Sequence, residues 1–489
     1  MLSEITPALK IDRDTYKEAE RELRWQLLNA QFALQREGRA LLLVVSGIEG
    51  AGKGTLVQRL NEWLDPRGIK TNTYWLPSDE EESRPYFWRF WRRMPPRGEI
   101  AIFLGSWYSG VLQGSVDKPH HERLQSAAQR INFFENMMSA DGALIVKLWL
   151  HLDKQDQVKQ LEERAGKQQN PRVTDRPYEI HGHYDRYVEV ASELMQETST
   201  EHSPWHVIDA SRRRHRELEA GRLLLAAMQQ GLDEAGALPA PPAFTPATAT
   251  PRLDALDLGL KLERSKYKEE LKALQSRLQD LAWEAYREER SIVGVFEGWD
   301  AAGKGSAIRR VTHAIDPRLY HLVRIAAPSD EEHAHHYLWR FWRQLERDGR
   351  GTLFDRSWYG RVLVERVEGF AAPHEWQRAY QEINEFEAQL TEHGAIVLKF
   401  WLHISPEEQL ARFEARKEEP HKRYKITDED WRNREKWDQY ALAVEDMLTH
   451  TDTAHAPWTL VAANDKPWAR IFILRRFCEA LEEALGGPS

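Results

Sequence analysis

Two glycine-rich segments of the chain have the residue types and spacing that bind phosphate groups. Residues 47–53 and 298–304 both fit the pattern G-x-x-x-x-G-K. Glycines let backbone N–H groups converge on a phosphate, the following helix favours negative charge at its N-terminus, and the lysine adds a point charge. The hydroxyl that usually follows the lysine is displaced by one position, to Thr55 and Ser306. In the second segment the predicted phosphate-binding residues are Gly298, Ala301, Ala302, Gly303, Lys304, Gly305 and Ser306.

A second group of charged residues follows a short apolar run. Asp355 ends this run, and Arg356 and Arg361 come shortly after it. Phosphoryl-transfer enzymes hold Mg²⁺ with an aspartate at the end of such a neighbouring strand. Arginines at this place neutralise the charge of a transferring phosphoryl group. The alternative is a surface turn with an Asp–Arg pair, and the phosphate-binding pattern upstream makes this the weaker interpretation.

A third group of cations lies further along the chain. Residues 421–425 include Lys422, Arg423 and Lys425, shortly after Arg412. Repeated cations in an irregular, Glu-rich region favour a lid that closes over phosphates. On spacing alone a solvated charged face explains the pattern equally well.

These motifs occur twice because the chain contains an internal repeat. Lys53 and Lys304 are separated by 251 positions, and the same distance separates Trp107 from Trp358. A repeat this long exceeds the roughly 20–50 residues of solenoid repeats and indicates a duplicated domain. A charge-free segment rich in Pro, Ala and Thr divides the copies and is typical of a linker. The predicted parts are a first domain at 1–236, a linker at 237–251 and a second domain at 252–489.

Each copy alternates helical and apolar patterns. Apolar runs at 41–45 and 292–296 predict buried strands directly before the glycine-rich loops, and 395–402 predicts a later strand. Leucines at Leu271, Leu274, Leu278 and Leu281 follow helical spacing. Strands alternating with helices predict an α/β domain with a parallel sheet flanked by helices.

Composition limits the classes of protein that this chain can belong to. The chain has 489 residues, 41% hydrophobic and 30% charged, which excludes disorder and low complexity for the whole chain. Its single cysteine, Cys478, cannot form an intrachain disulfide. No stretch at the N-terminus suits a signal peptide or a membrane span, so we predict a cytoplasmic protein with no membrane partner.

The net charge of −9 argues at first against a polyanionic partner. Residues 301–361, however, contain eleven Lys and Arg against seven Asp and Glu. The predicted site is therefore a basic groove in an acidic protein. The charge argues only against broad, nonspecific binding of nucleic acid.

Two further clusters have simpler explanations. Histidines His333, His335 and His336 are not kept in the first copy, so we predict an exposed helix here and no metal site. Aromatic residues at helical spacing predict packing in both copies in preference to base stacking. These are Trp88, Phe90 and Trp91 in the first copy and Trp339, Phe341 and Trp342 in the second.

The order of the motifs, G-x-D-x-x-G-K-G, then D-R-S-W-Y-x-R, then a basic segment, resembles the polyphosphate kinase 2 family over nearly the whole chain, twice. The resemblance implies two tandem P-loop kinase-like domains, related to thymidylate kinase, each with a helical lid, and it implies Mg²⁺. It places Asp300 and Lys304 in the Walker A loop and Asp355 and Arg356 in the Walker B element, with Arg361 after it. The implied metal ligands, direct or through water, are Asp300 and Asp355. Lid residues implied by the resemblance are Lys422, Arg423 and Lys425.

The two-domain form of this family implies transfer of the terminal phosphoryl group of inorganic polyphosphate to AMP, giving ADP. Three alternatives stay open on the residues alone. One is an ATP-dependent nucleoside monophosphate kinase, another is a polyphosphate-dependent kinase acting on ADP or GDP, and the third is a non-catalytic nucleotide-binding protein. The duplication also leaves open whether the chain forms a homo-oligomer or is a pseudo-dimer within itself.

The two copies differ where the chemistry is predicted. Asp355 corresponds to Leu104 and Arg356 to Gly105 at the repeat distance. A leucine cannot ligate Mg²⁺ and a glycine cannot neutralise a phosphate. Three further differences follow the same pattern: Glu49 for Asp300, Gly110 for Arg361, and fewer cations at 168–172 than in the lid segment. We therefore predict a catalytic second domain and a degenerate first domain, retained for packing or for binding polyphosphate.

Overall fold

The computed structural model describes residues 2, 5–117, 121–167, 183–233, 242–418 and 428–486. They form two compact units, built mainly from the first and the second repeat respectively. Within the ranges described, no helix is long and apolar enough to cross a membrane. Unit 1 comprises Met1–Pro77, Arg89–Ala237 and Asp330–His336, and unit 2 comprises Ser78–Trp88, Leu238–Ser329 and Tyr337–Ser489.

The first repeat contains a parallel five-stranded sheet with the strand order β2-β3-β1-β4-β5. Its strands are β1 Leu41–Gly47, β2 Ile69–Thr73, β3 Ile100–Leu104, β4 Leu144–His151 and β5 Trp205–Asp209. Its helices are α1 Arg13–Arg36, α2 Lys53–Trp63, α3 Asp79–Glu82, α4 Trp88–Trp91, α5 Trp107–Asp117, α6 His121–Ala140, α7 Lys154–Lys167, α8 Tyr184–Thr198 and α9 Arg213–Asp233.

The second repeat contains an equivalent parallel sheet with the order β7-β8-β6-β9-β10. Its strands are β6 Ile292–Gly298, β7 Tyr320–Arg324, β8 Gly351–Asp355, β9 Ile396–His403 and β10 Trp458–Ala462. Its helices are α10 Pro251–Asp254, α11 Arg264–Arg287, α12 Lys304–Ala314, α13 Asp330–His333, α14 Trp339–Trp342, α15 Val364–Val367, α16 Pro373–Glu392, α17 Pro406–Glu418, α18 Asp428–Glu435, α19 Trp437–Thr451 and α20 Lys466–Ala484.

The central strands are apolar because parallel strands are covered on both faces. Residues 41–45 of β1 and 292–296 of β6 are buried. The strands and the helix predicted from the sequence are confirmed as β1, β6, β9 and α11. In both sheets the strand that precedes the glycine-rich loop is central, so the loop emerges between the ends of its neighbours.

A buried ion pair lies in the core of each unit. In unit 2 the Lys399 amine donates hydrogen bonds of 2.7 Å to Glu387 and 2.8 Å to the Tyr359 hydroxyl. In unit 1 Lys147 makes the same contacts, 2.7 Å to Glu135 and 2.9 Å to Tyr108. Burial lowers the pKa of both lysines. Because both repeats keep this network, it serves the fold and not a chemical difference between them.

The predicted packing role of the aromatic clusters is confirmed, since all six side chains are buried. In unit 2, for example, the Trp342 ring lies 4.8 Å from Phe386 and is T-shaped to it. The prediction of an exposed helix at the histidines is wrong for His335 and His336, which are buried. The helix ends at His333, so the two later histidines turn inward, and His335 Nδ1 lies 2.7 Å from the Glu331 carbonyl oxygen.

Candidate active site

The glycine-rich loop of unit 2 connects the end of β6 to the start of α12. Gly298 has φ +145°, and a Cβ there would lie 2.4 Å from the Leu402 carbonyl oxygen on β9. Only glycine therefore fits where the chain leaves the sheet. Gly303 caps α12 with φ +112°, which brings the first N–H groups of this helix to the loop. This is the geometry of an anion-binding loop.

Two arginines hold the loop from outside the motif. Arg412 on α17 is buried and donates hydrogen bonds of 2.9 Å to the carbonyl oxygens of Ala301 and Ala302. Arg412 comes shortly before the predicted lid cations in the sequence, but its guanidinium supports the loop backbone. Arg470 on α20 donates a 2.8 Å hydrogen bond to the hydroxyl of Ser306.

Lys304 lies at the centre of a cluster of charged side chains. Its amine donates to the carbonyl oxygens of Gly298 and Trp299, within its own loop. Burial lowers the pKa of this amine, and the carboxylates of Asp300, Glu297 and Asp355 offset part of the shift. The structure therefore places Asp300 and Asp355 close enough to Lys304 to act on its charge.

Asp300 is held by two partners. Its Oδ1 lies 3.2 Å from Arg356 Nη2, and its Oδ2 accepts a 2.9 Å hydrogen bond from Asn433 Nδ2. Burial acts to raise the pKa of this carboxyl. Lys304, Arg356 and Asn433 outweigh burial, so that the pKa lies below its usual range. Asp300 is thus a fixed anion beside the loop.

Arg356 follows β8 in a strained backbone conformation. Its φ is +64°, a region that side chains other than glycine rarely adopt. Its N–H donates a 3.1 Å hydrogen bond to the Phe296 carbonyl oxygen on β6, which ties the two strand ends together. Strain of this kind clusters at functional sites.

Glu297 is a site residue that the sequence analysis missed. It precedes Gly298, is buried, and accepts a 2.9 Å hydrogen bond from the hydroxyl of Ser357. Burial raises the pKa of its carboxyl. The signal was present in the sequence, because Ser46 stands at this position in the first copy.

Aromatic rings form one wall of the site. Trp299 of the loop stacks on Trp437 of α19, with ring centroids 3.7 Å apart and planes 11° apart. Its indole N–H donates a 3.0 Å hydrogen bond to Nδ1 of His403. Burial lowers the pKa of His403 to about 4, so this ring is neutral and accepts the bond. The wall therefore fixes the loop against α19.

A cleft opens at these residues, next to the end of the sheet. Its lining combines charged groups of the loop with apolar and aromatic groups around it. The lining residues are Glu297, Gly298, Trp299, Asp300, Lys304, Arg356, Gly360, Leu363, Val364, Trp401, Gln409, Asn433 and Tyr440.

Several predicted residues are not among those that line the cleft: Asp355, Arg361, Ala301, Ala302, Gly303, Gly305 and Ser306. The Arg361 guanidinium is 3.2 Å from Glu365, 3.8 Å from Glu375 and 4.6 Å from the centre of the Tyr337 ring. The predicted lid residues lie outside the described part of the chain: Lys422, Arg423 and Lys425.

The equivalent loop of unit 1 contains different contacts. The Lys53 amine lies 3.2 Å from the Glu49 carboxylate, so a carboxylate of the loop neutralises its own lysine. Arg216 on α9 donates a 2.8 Å hydrogen bond to the Ala51 carbonyl oxygen, the interaction that Arg412 makes with Ala302 in unit 2. The fold of the loop is therefore kept with another support.

Unit 2 has a P-loop kinase-like α/β fold, as its sheet order and the loop between β6 and α12 show. The charged cluster beside this loop suits the binding of phosphate groups. The chain belongs to the polyphosphate kinase 2 family, whose model matches residues 10–235 and 261–486.

Relatives of known description match the whole chain. The polyphosphate:AMP phosphotransferase of Pseudomonas aeruginosa is 49% identical over 485 residues, 97% of each chain. That of Acinetobacter johnsonii is 38% identical over 95% of this chain and 96% of its own length. The crystal structure of a putative polyphosphate kinase 2 from P. aeruginosa has a TM-score of 0.89 and 47% identity, and the match covers both chains completely.

Proposed function

We propose that the protein transfers the terminal phosphoryl group of inorganic polyphosphate to AMP, forming ADP, and that unit 2 carries the reaction. Full-length relatives described as polyphosphate:AMP phosphotransferases support the reaction. The assignment to unit 2 rests on one observation. Lys304 is surrounded there by Asp300, Asp355 and Arg356, whereas unit 1 has Glu49, Leu104 and Gly105 at the three positions.

The acceptor does not require a strong general base. The second pKa of a phosphate monoester is about 6, so that AMP is mostly dianionic at neutral pH and is itself the nucleophile. The attacking phosphate oxygen forms a bond to the terminal phosphorus, and the bond from that phosphorus to the bridging oxygen of polyphosphate breaks. The shortened polyphosphate leaves with the electron pair.

The protein contributes position and charge. Lys304 and Arg356 neutralise the oxygens of the transferring group, and the N–H groups at the start of α12 orient the chain of phosphates. Arg361 was assigned the same role from the sequence, and this stays a prediction. Removing one such contact in comparable sites lowers the rate about 10²–10³-fold.

The donor groups suit Mg²⁺. Magnesium takes one or two protein carboxylates and completes its shell with phosphate oxygens and water. Asp300 and Asp355 supply two carboxylates beside Lys304, and Asp300 is ionised. These two residues would hold the ion. When bound, it would withdraw charge from the phosphate oxygens and so favour attack.

The donor and the acceptor are tested together. Purified protein with Mg²⁺ and AMP receives either polyphosphate or ATP, and ADP is measured. We expect ADP from polyphosphate, while ADP formed only from ATP would show a nucleoside monophosphate kinase. A panel of AMP, GMP, ADP and GDP with polyphosphate then defines the acceptor. A cytoplasmic location stays a prediction from the sequence. The sequence also leaves open whether the protein forms a homo-oligomer.

A further inference from the structure

Asn433 reaches the active-site loop from α18, a helix that the sequence motifs do not include. Its amide nitrogen lies 2.9 Å from Oδ2 of Asp300, while Arg356 engages Oδ1. The carboxylate therefore interacts with two groups: the guanidinium of an arginine in the Walker B element and a neutral amide.

The orientation of the Asn433 amide is fixed by a second contact. Its Oδ1 lies 3.3 Å from the Tyr440 hydroxyl. Its nitrogen faces the ionised Asp300 carboxylate, which can only accept a hydrogen bond. Tyr440 also lies 3.4 Å from Glu368, and Lys436 donates a 2.8 Å hydrogen bond to the same carboxylate. A chain of polar contacts thus anchors Asn433 in α18 and α19.

The next residue of α18 fixes this helix to α17. Arg434 donates hydrogen bonds of 2.7 Å to the Pro406 carbonyl oxygen and 3.1 Å to the Gln409 side chain. Gln409 in turn donates a 3.1 Å hydrogen bond to the carbonyl oxygen of Asp300. Both the backbone and the side chain of Asp300 are therefore held by groups outside the loop.

In the equivalent loop of unit 1, the carboxylate pairs with the lysine of the loop. Glu49 occupies the position of Asp300, and its carboxylate pairs with Lys53, four residues on. At the sequence distance that separates α8 from α19, Asn433 corresponds to Ile180 of the first repeat. Ile180 lies outside the described residues. An isoleucine has no polar group to hold a carboxylate.

We propose that Asn433 is a positioning residue that holds the Asp300 carboxylate away from Lys304, so that the lysine amine stays available to polyphosphate. In unit 2 the lysine donates only to carbonyl oxygens of its own loop among its hydrogen bonds in the described structure. A phosphate oxygen displaces such neutral acceptors more readily than it displaces a carboxylate, because the attraction between opposite charges must first be overcome. The inference rests on the proposed function for its link to catalysis.

A double-mutant cycle in the full-length protein tests this role. Binding of polyphosphate is measured by calorimetry without AMP and without Mg²⁺ for four proteins: wild type, Asn433→Ala, Asp300→Asn and the double variant. We expect Asn433→Ala to weaken binding roughly 10-fold in the wild-type background, the lower end of the effect of removing an outer-shell partner of a metal-binding side chain. In the Asp300→Asn background it should change binding little, because the carboxylate that Asn433 holds is already absent.

Kinetics give a second readout. With polyphosphate and AMP, Asn433→Ala should lower kcat and raise the KM for polyphosphate while leaving the KM for AMP close to that of the wild type. Asn433→Leu keeps a side chain of similar size and removes the donor without adding a charge, so it should show the same coupling if the alanine variant folds poorly. Asn384→Ala is the matched control, since Asn384 donates one 2.8 Å hydrogen bond to the His450 carbonyl oxygen away from the cleft.

Equal weakening of polyphosphate binding in both backgrounds, or none in either, would overturn the positioning role. Failure of the proposed function looks different. In that case the wild type makes no ADP from polyphosphate and AMP, whereas the binding cycle still reports whether Asn433 controls the interaction of Lys304 with phosphates.

Discussion

The loops of the two units share backbone conformations but differ in the residues that adopt them. Arg356 has φ +64° in unit 2, and Gly105 at the same position in unit 1 has φ +77°. Ala301 has φ +62°, and its counterpart Gly50 has φ +91°. A left-handed conformation costs a residue with a side chain about 1–2 kcal/mol, whereas glycine adopts it freely. Unit 2 therefore has backbone strain at its site that the glycines of unit 1 avoid.

In the interior, by contrast, the two units contain the same residues and contacts. Lys147 with Glu135 and Lys399 with Glu387 form the same buried pair, each closed by a tyrosine hydroxyl. Breaking such a pair leaves an uncompensated buried charge. The comparison teaches that the demands of folding apply to both units, whereas the charged residues proposed for the chemistry differ between them.

The largest effect is expected at Asp355. Replacing it with the residue of unit 1, Asp355→Leu, should lower ADP formation about 10³-fold, roughly 4 kcal/mol, because the proposed metal ligand is lost. Steady-state kinetics with polyphosphate and AMP measures the loss. Leu104→Ala is the matched change in unit 1 and should leave the rate unchanged; a rate near that of the wild type for Asp355→Leu would refute its role.

The buried pairs should respond alike in both units. Lys399→Met and Lys147→Met should each destabilise the affected unit by about 3–5 kcal/mol, since a glutamate stays buried without its partner. Calorimetry should show a transition lowered by roughly 10 °C in each case. Replacing the glutamate with leucine as well should restore most of the loss. If the lysine variant of one unit unfolds at the same temperature as the wild type, the buried pair does not stabilise both units alike.

The smallest effect tests the strain at Arg356. Both Arg356→Gly and Arg356→Ala remove the guanidinium, so both should lose activity about 10²-fold or more. Arg356→Gly should nevertheless be the more stable of the two by about 1 kcal/mol, because only glycine relieves the positive φ. Thermal unfolding of the two proteins measures the difference. If the alanine variant is equally or more stable, unit 2 stores no strain at this position.

Much of the fold and part of the site were predictable from the sequence. Residues 41–45 and 292–296 form continuous apolar runs before glycine-rich loops, and this pattern predicts buried strands of a parallel sheet. Asp355 lies near Lys304 because β8, which ends at Asp355, pairs with β6, the strand that leads into the loop before Lys304.

Other site residues could not be predicted, because the sequence does not show which way a side chain points in the folded structure. Arg412 precedes the predicted lid cations in the sequence, and nothing in that order shows that its side chain on α17 reaches the loop backbone. Asn433 lies where the two copies have diverged, so that no motif and no repeat marks it. Glu297 differs from Ser46 at the repeat distance, and a full comparison of the copies finds it.

The central claim is that unit 2 catalyses the reaction and unit 1 does not. Lys304→Ala and Lys53→Ala remove the same side chain from the two loops, and one assay of ADP formation from polyphosphate and AMP compares them. We expect Lys304→Ala to lower kcat about 10²–10³-fold and Lys53→Ala to leave it close to the wild-type value. Complete loss of activity in a folded Lys53→Ala protein, or full activity in Lys304→Ala, would contradict the account.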